Sequence, residues 1–169
     1  KRLVEIVKIV INSSPIIFLV KLQFLDIFLA RDDEFYIPSG VVEEIEAKSD
    51  QVSQVISPLI EAETLQVVST CLLSLVNRLN LNLGRGESEA NSLATQLQAD
   101  LIILDDRAAR SRAVNLGLNV KGTLALIKKL SQEGKITIDN LDEFYDRLQQ
   151  INFRLSRSIF DAVFKNSEP

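Results

Sequence analysis

Histidine, methionine and tryptophan are absent from this chain of 169 residues, and cysteine occurs once. Without histidine there is no imidazole general base, no Ser-His or Cys-His nucleophile pair and no His-ligated zinc. The single Cys71 excludes both a Cys-rich zinc site and an internal disulfide. Chemistry must therefore come from carboxylates, hydroxyls, Lys or Arg. Glycine is scarce, and the phosphate-binding loops that depend on it are missing. Gly84-Arg85-Gly86-Glu87 lacks a third glycine at the offset of a dinucleotide fingerprint, and no lysine follows a glycine loop as in nucleotide triphosphatases. Long apolar runs are missing too. Pro15 to Val20 is far shorter than the roughly 20 residues needed to cross a bilayer, and no opening segment has the basic flank, apolar run and cleavage site of a secretory signal. The expectation is a cytoplasmic protein with no membrane partner. Because the chain starts at Lys1 and has no methionine, an initiator and a few native residues are expected upstream.

Excess charge of one sign is lacking as well. Nineteen basic and 23 acidic side chains leave a net charge of -4, which gives no bulk attraction for nucleic acid, so any such contact must come from a local basic patch. What remains is an ordinary globular composition, 46% hydrophobic and 25% charged, long enough to bury a core without staples.

Apolar periodicity predicts strands alternating with helices. Strand Val4 to Ile11 leads to a helix Pro15 to Ala30, strand Phe35 to Ile37 to a helix Pro38 to Ala47, and a further helix spans about Gln51 to Ala62. Strand Leu65 to Val68, a helix near Leu72 to Leu79 and, after the turn at Gly84, a helix Glu87 to Gln98 follow. Strand Leu101 to Leu104, helix Arg107 to Leu116 and a short extended piece Leu118 to Val120 complete the series. This alternation implies an α/β fold with a central parallel sheet covered on both faces. The last third reads differently, as helices Thr123 to Gln132, Leu141 to Gln150 and Ser156 to Lys165. The expected organisation is an α/β domain over residues 1–122 with a helical extension over 123–169 packed on it. The apolar spacing of these added helices also suggests a homodimer.

Four places in this pattern carry candidate chemistry. Asn12-Ser13-Ser14-Pro15 lies where the first strand runs into its helix, at the strand end where open α/β sheets bind ligands. Glu44 borders the stripe of Val41 and Ile45 and so faces inward more than Glu43, since successive helical residues step by about 100°; the alternative is that both simply favour the early helical turns through the helix dipole. Glu87 heads a stripe with Ala90, Ala94 and Leu97, while Glu89 points to the opposite face. Its carboxylate suits either a site or the capping of free N–H groups, and Asn91, one turn on, is placed to support it. Asp105-Asp106 closes an apolar strand and opens a helix, so one of the pair serves as an N-cap. After it, Arg107 and Arg110 share a helical face, and these with Arg112 are placed either to hold phosphates or to form a solvated face.

Taken in order, these pieces resemble the PIN-domain proteins, and within them a prokaryotic subgroup with an extra helical C-terminus. The resemblance rests on Val10 to Pro15 with Leu19 and Lys21, Ile37-Pro38 with Val41 and Glu44-Ile45, and Gly84 to Ala90. It continues through Leu101 to Arg107 with Ala109-Arg110, Val120 to Leu124, Gly134-Lys135-Ile136 and Phe153 to Ser156. It implies an α/β/α sandwich whose carboxylates bind Mg²⁺ or Mn²⁺ and cleave RNA; many relatives are toxins held inactive by a small antitoxin protein. Carried over by position, the acids fall on Asn12, Glu44, Glu87 and Asp106, with Asp105 sharing the last role and Ser13 matching a hydroxyl that orders the site. These residues are the expected catalytic and metal-binding set. Asn12 departs from the pattern, because an amide oxygen ligates a metal but brings no charge and accepts no proton. Two classes of function follow: a metal-dependent ribonuclease of reduced or altered activity, and a catalytically silent module that binds RNA or protein.

Overall fold

The structure, a computed structural model, describes residues 5–165. Five strands form one all-parallel sheet: β1 Lys8–Ile11, β2 Glu34–Pro38, β3 Leu65–Val68, β4 Leu101–Ile103 and β5 Val120–Lys121, in the order β3-β2-β1-β4-β5. β1 is central. Ile9, Val10 and Ile11 are buried, as expected of a strand with both faces covered, and Val10 is in register with Tyr36 on one side and Ile102 on the other. The strand order reverses between β1 and β4. The crevice outside their carboxyl ends is the switch point at which parallel sheets bind ligands.

Among the described residues seven helices accompany this sheet: α1 Ser13–Lys21, α2 Leu25–Leu29, α3 Ser39–Lys48, α4 Asp50–Glu61, α5 Leu73–Leu79, α6 Arg85–Leu97 and α7 Arg107–Asn115. The single helix expected over Pro15 to Ala30 is two. Gln23 takes a left-handed backbone, φ 64°, while the Gln23 and Phe24 N–H groups close the end of α1 on Val20 and Leu19. With this turn Ile16, Leu19, Leu22, Leu25, Phe28 and Leu29 are all buried; on one straight helix, at about 100° per residue, they would spread over roughly 240°, wider than a single apolar stripe. The strand expected from Val4 is shorter, and Val4 lies outside the described residues. The α6 helix lies in the core: Ala90, Leu93 and Ala94 pack with Val10, Ile102, Ala109 and Ala113 in one apolar cluster.

The chain divides into two compact units between residues 122 and 123. The second contains α8 Thr123–Gln132, α9 Leu141–Gln150 and α10 Arg157–Phe164. Its helices carry an aromatic cluster. Phe160, fully buried, has its ring centroid 4.8 Å from Phe164 and 5.3 Å from Tyr145, and Phe144 stands 5.9 Å from Phe164. Ile159, on the apolar spacing of the last helix, is 56% exposed instead. Arg157 lies over the Tyr145 ring and pairs with Asp142 and Asp161, which raises the guanidinium pKa and lowers that of Asp161. Among the described residues no helix is long and apolar enough to cross a membrane.

Candidate active site at the carboxyl edge of the sheet

Asn12 leaves β1 and occupies the N-cap position of α1, yet its side chain caps nothing. Asparagine is among the best N-cap residues, so this is an observation to explain. The main-chain N–H of Asn12 bonds to the Ile103 carbonyl at 3.2 Å, tying the ends of β1 and β4 together. Its side-chain Oδ1 is buried and has no hydrogen-bond partner. A buried acceptor left unpaired costs about 1–3 kcal/mol, and such groups mark places built for something other than packing.

The next residue takes up the neighbouring acid. Ser13 Oγ donates to Glu44 Oε2 at 2.9 Å, and Lys48 Nζ, one turn along α3, donates to Glu44 Oε1 at 2.8 Å. Both oxygens of Glu44 are thereby occupied. The first turn of α6 closes on the same volume: a Cβ built at Gly86 would stand 2.5 Å from Glu44 Oε2 and 3.5 Å from Asn12 Oδ1. Gly86 is therefore the residue that lets the backbone of α6 approach these two oxygens. A cleft of about 300 Å³ lies here, lined by Gly40, Glu43, Glu44, Arg85 and Gly86.

Glu87 follows directly. Its Oε2 accepts the Gly84 N–H at 3.0 Å, the capping interaction anticipated as one reading of this residue. Its pKa is nonetheless raised, first by burial and then by the negative charges of Asp106 and Glu44, against the lowering effects of the Gly84 N–H and of Lys48. Charge repulsion falls off with distance, so Glu44, Glu87 and Asp106 share one electrostatic neighbourhood. Asp106 is the N-cap of α7, its Oδ1 accepting the Ala109 N–H at 2.9 Å. Asn91, fully buried, donates to the main-chain carbonyls of Glu87 and Ala109. It thus links the turns that carry Glu87 and Asp106 through the backbone rather than by holding a carboxylate.

The remaining candidates lie on two sides of this pocket. Asp105 Oδ1 and Arg110 Nη1 each stand 3.2 Å from where a Gly122 Cβ would be, so both reach the start of the segment after β5. Arg107 is exposed. Arg112, 140° around α7 from Arg107 by helical spacing, lines a different groove, together with residues of α5. Five contributing residues were not among the candidates: Gly86, Lys48 and the trio Glu43, Arg85 and Glu89. Arg85 Nη1 pairs with Glu43 at 2.8 Å and its Nε stands 3.4 Å from Glu89. Glu89, placed on the face away from Glu87, is not solvated there. Its Oε2 fills the space where a Gly40 side chain would be, and burial raises its pKa, with Arg85 opposing. The i, i+4 spacings Glu44–Lys48 and Arg85–Glu89 were visible signals for two of these contacts.

The oxygens gathered here suit a hard divalent cation in kind. Asn12 offers an unpaired buried oxygen, and Glu87 feels the negative charges of both Asp106 and Glu44. In this arrangement, however, each of Glu44, Glu87 and Asp106 is engaged by a local donor, and among the described residues no group of three or more His, Cys, Asp or Glu is placed to hold a metal ion. The fit is to an ion held by Asn12 and one or two carboxylates, with water and a substrate phosphate completing its shell, a common mode for Mg²⁺.

A five-stranded, all-parallel sheet whose strands alternate with helices defines the class as α/β. Residues 8–169 match the model of a PIN-domain family, and the chain belongs to that family. Among solved structures, it is similar to a PilT N-terminus domain protein from the hyperthermophilic archaeon Sulfolobus solfataricus P2, with 20% identity over 69% of this chain and 87% of that one, and a TM-score of 0.42. No curated protein matches.

Proposed function

We propose that the chain is a divalent-metal-dependent ribonuclease of the PIN-domain type, acting through Asn12, Glu44, Glu87 and Asp106. The observation that carries this reading is the buried, unpartnered Oδ1 of Asn12 facing the Glu44 carboxylate across Gly86. Asn12 and one or two of Glu44, Glu87 and Asp106 would hold Mg²⁺ or Mn²⁺; when bound, such an ion lowers the pKa of water and stabilises negative charge on a phosphate. Hydrolysis adds water to phosphorus and breaks one P–O bond, and the proton lost by the water must go to a carboxylate, because the amide of Asn12 accepts none. Glu87, whose pKa is raised by burial and by the charges of Asp106 and Glu44, is the proposed acceptor. Ser13 orients Glu44. Lys48 supplies local positive charge, and Arg107 and Arg110 are the candidates for gripping phosphates flanking the cleaved bond.

A second reading, a silent PIN-like module binding RNA or protein, is favoured by the neutral Asn12 and by the local donors that already satisfy the three acids. Mn²⁺-titrated RNA cleavage by the parent chain, Asn12→Asp and Glu87→Gln separates the two. Cleavage by the parent that Glu87→Gln abolishes supports the nuclease. Cleavage only after Asn12→Asp supports the silent module, and cleavage that survives Glu44→Gln, Glu87→Gln and Asp106→Asn together refutes the site. A toxin role with an antitoxin partner belongs to the same family reading, and a homodimer is proposed from the apolar spacing of the C-terminal helices; purification of the native complex and sedimentation test them.

A further inference from the structure

Away from the acidic pocket, α5 and α7 enclose a groove of about 260 Å³. Its floor is apolar: Leu79 is buried in the core, and Leu75 and Leu116 pack against the same cluster, so the shape of the groove is set by the fold. Its rim is not. Leu81 is 80% exposed, and the walls carry Arg78 from α5 and Arg112 from α7. Neither arginine has an ion pair with any described residue, and no acid lines the groove, on a chain whose net charge is -4. The local sign is thus opposite to that of the whole molecule.

We propose that this groove is the docking site for an acidic amphipathic helix of a partner protein. Apolar side chains three and four apart on such a helix would seat on Leu75, Leu79 and Leu116, while carboxylates beside them meet Arg78 and Arg112; this is the helix-in-groove mode of recognition. The cavity is smaller than the ~300–1,000 Å³ of small-molecule sites, which suits anchor side chains rather than a cofactor. Nucleic acid is the less suitable occupant. No aromatic side chain lines the groove, so bases would have no platform on which to stack. The inference stands apart from the proposed nuclease activity, since none of the acids of that site line this groove.

The test uses the full ¹⁵N-labelled chain, titrated with a short synthetic helical peptide carrying Leu at i, i+3, i+4 and i+7 flanked by Glu, and with the same peptide carrying Lys in place of Glu. The Leu/Glu peptide should shift the amides of Leu75, Leu81 and Leu116 saturably. Arg78→Glu with Arg112→Glu should weaken it roughly tenfold and admit the Lys peptide. Leu81→Asp, at an exposed position that folding does not depend on, should lose the peptide with its melting temperature unchanged. No saturable shift, shifts on another surface, or equal binding of the Lys peptide overturns the proposal. So does a short single-stranded oligonucleotide that moves the same amides with equal affinity, or self-association of the chain that Arg78→Glu abolishes.

Discussion

Lys48 Nζ stands 2.8 Å from Glu44 Oε1 across one turn of α3, while Ser13 Oγ holds the other oxygen of the same carboxylate. A lysine side chain thus supplies positive charge beside an acidic pocket whose first position, Asn12, has none of its own to add. The pair is half exposed on the lysine side, and exposed i, i+4 pairs are weak, about 0.3–0.5 kcal/mol. An arriving cation would displace this ammonium at little cost.

Lys48→Gln should therefore raise Mn²⁺ affinity, but only about twofold, the equivalent of such a pair. Isothermal titration with Mn²⁺ reads this directly. Weaker binding after the substitution would show that Lys48 supports the metal-binding arrangement rather than competing with it.

Asn12→Asp should act in opposite directions with and without metal. In the metal-free chain a buried carboxylate would face Glu44 with no donor, a cost of about 2 kcal/mol or more, which lowers the melting temperature by roughly 4–8 °C in a protein of this size. With Mn²⁺ present the added charge should bring affinity up roughly tenfold and restore the lost stability. A melting temperature unchanged by both substitution and metal would mean that this side chain faces solvent and not the pocket.

Gly86→Ala tests the close approach of α6. The new Cβ would lie 2.5 Å from Glu44 Oε2, so the carboxylate must swing away and give up the Ser13 hydroxyl. Alanine favours the helix by up to ~1 kcal/mol over glycine, and this offsets much of the displacement. The expected outcome is stability within about 1 kcal/mol of the parent together with roughly tenfold weaker Mn²⁺ binding, the loss of one ligand contact. Unaltered Mn²⁺ binding in a folded Gly86→Ala chain would rule out Glu44 as a ligand.

Tyr36 carries a pH dependence separate from the site. Its hydroxyl donates to Glu34 Oε2 at 2.6 Å, two residues back on the same face of β2, and this bond, with burial and the carboxylate charge, pushes the phenol pKa up to about 12. The fold favours the protonated phenol, so the contribution is fully present below the unfolded value of about 10 and is lost as pH rises toward 12. Urea midpoints of the parent and Tyr36→Phe should differ in favour of the parent at pH ~9 and converge by pH ~12. A constant difference across that range would refute the hydrogen bond as its source.

Much of the site was legible because its residues stand at positions with local signatures. Asn12 directly follows β1 and Asp106 lies just beyond β4, and helical stepping separates Glu44 from Glu43 and Glu87 from Glu89. The same stepping failed where a neighbour's identity mattered more than direction. Glu89 does turn away from Glu87, but toward Gly40 of α3 rather than toward water, and only the packing of α3 on α6 makes that face an interior one. The α1–α2 break was hidden because no Gly, Asn or Pro stands between Lys21 and Ala30, so none of the usual turn residues marks the left-handed turn at Gln23.

By itself the sequence determined the kind of chemistry available and the order of elements. Its lack of histidine and its near lack of cysteine leave oxygen ligands, and alternating apolar periods demand a parallel sheet whose strand ends bear Asn12 and Asp106. The tertiary structure alone decided which oxygens meet. Local periodicity specifies the direction of a side chain but not what stands opposite it, and it is the packing of α3 against α6, with α6 seated on β1 and β4, that leaves Asn12 Oδ1 unpaired beside Gly86 and Glu44.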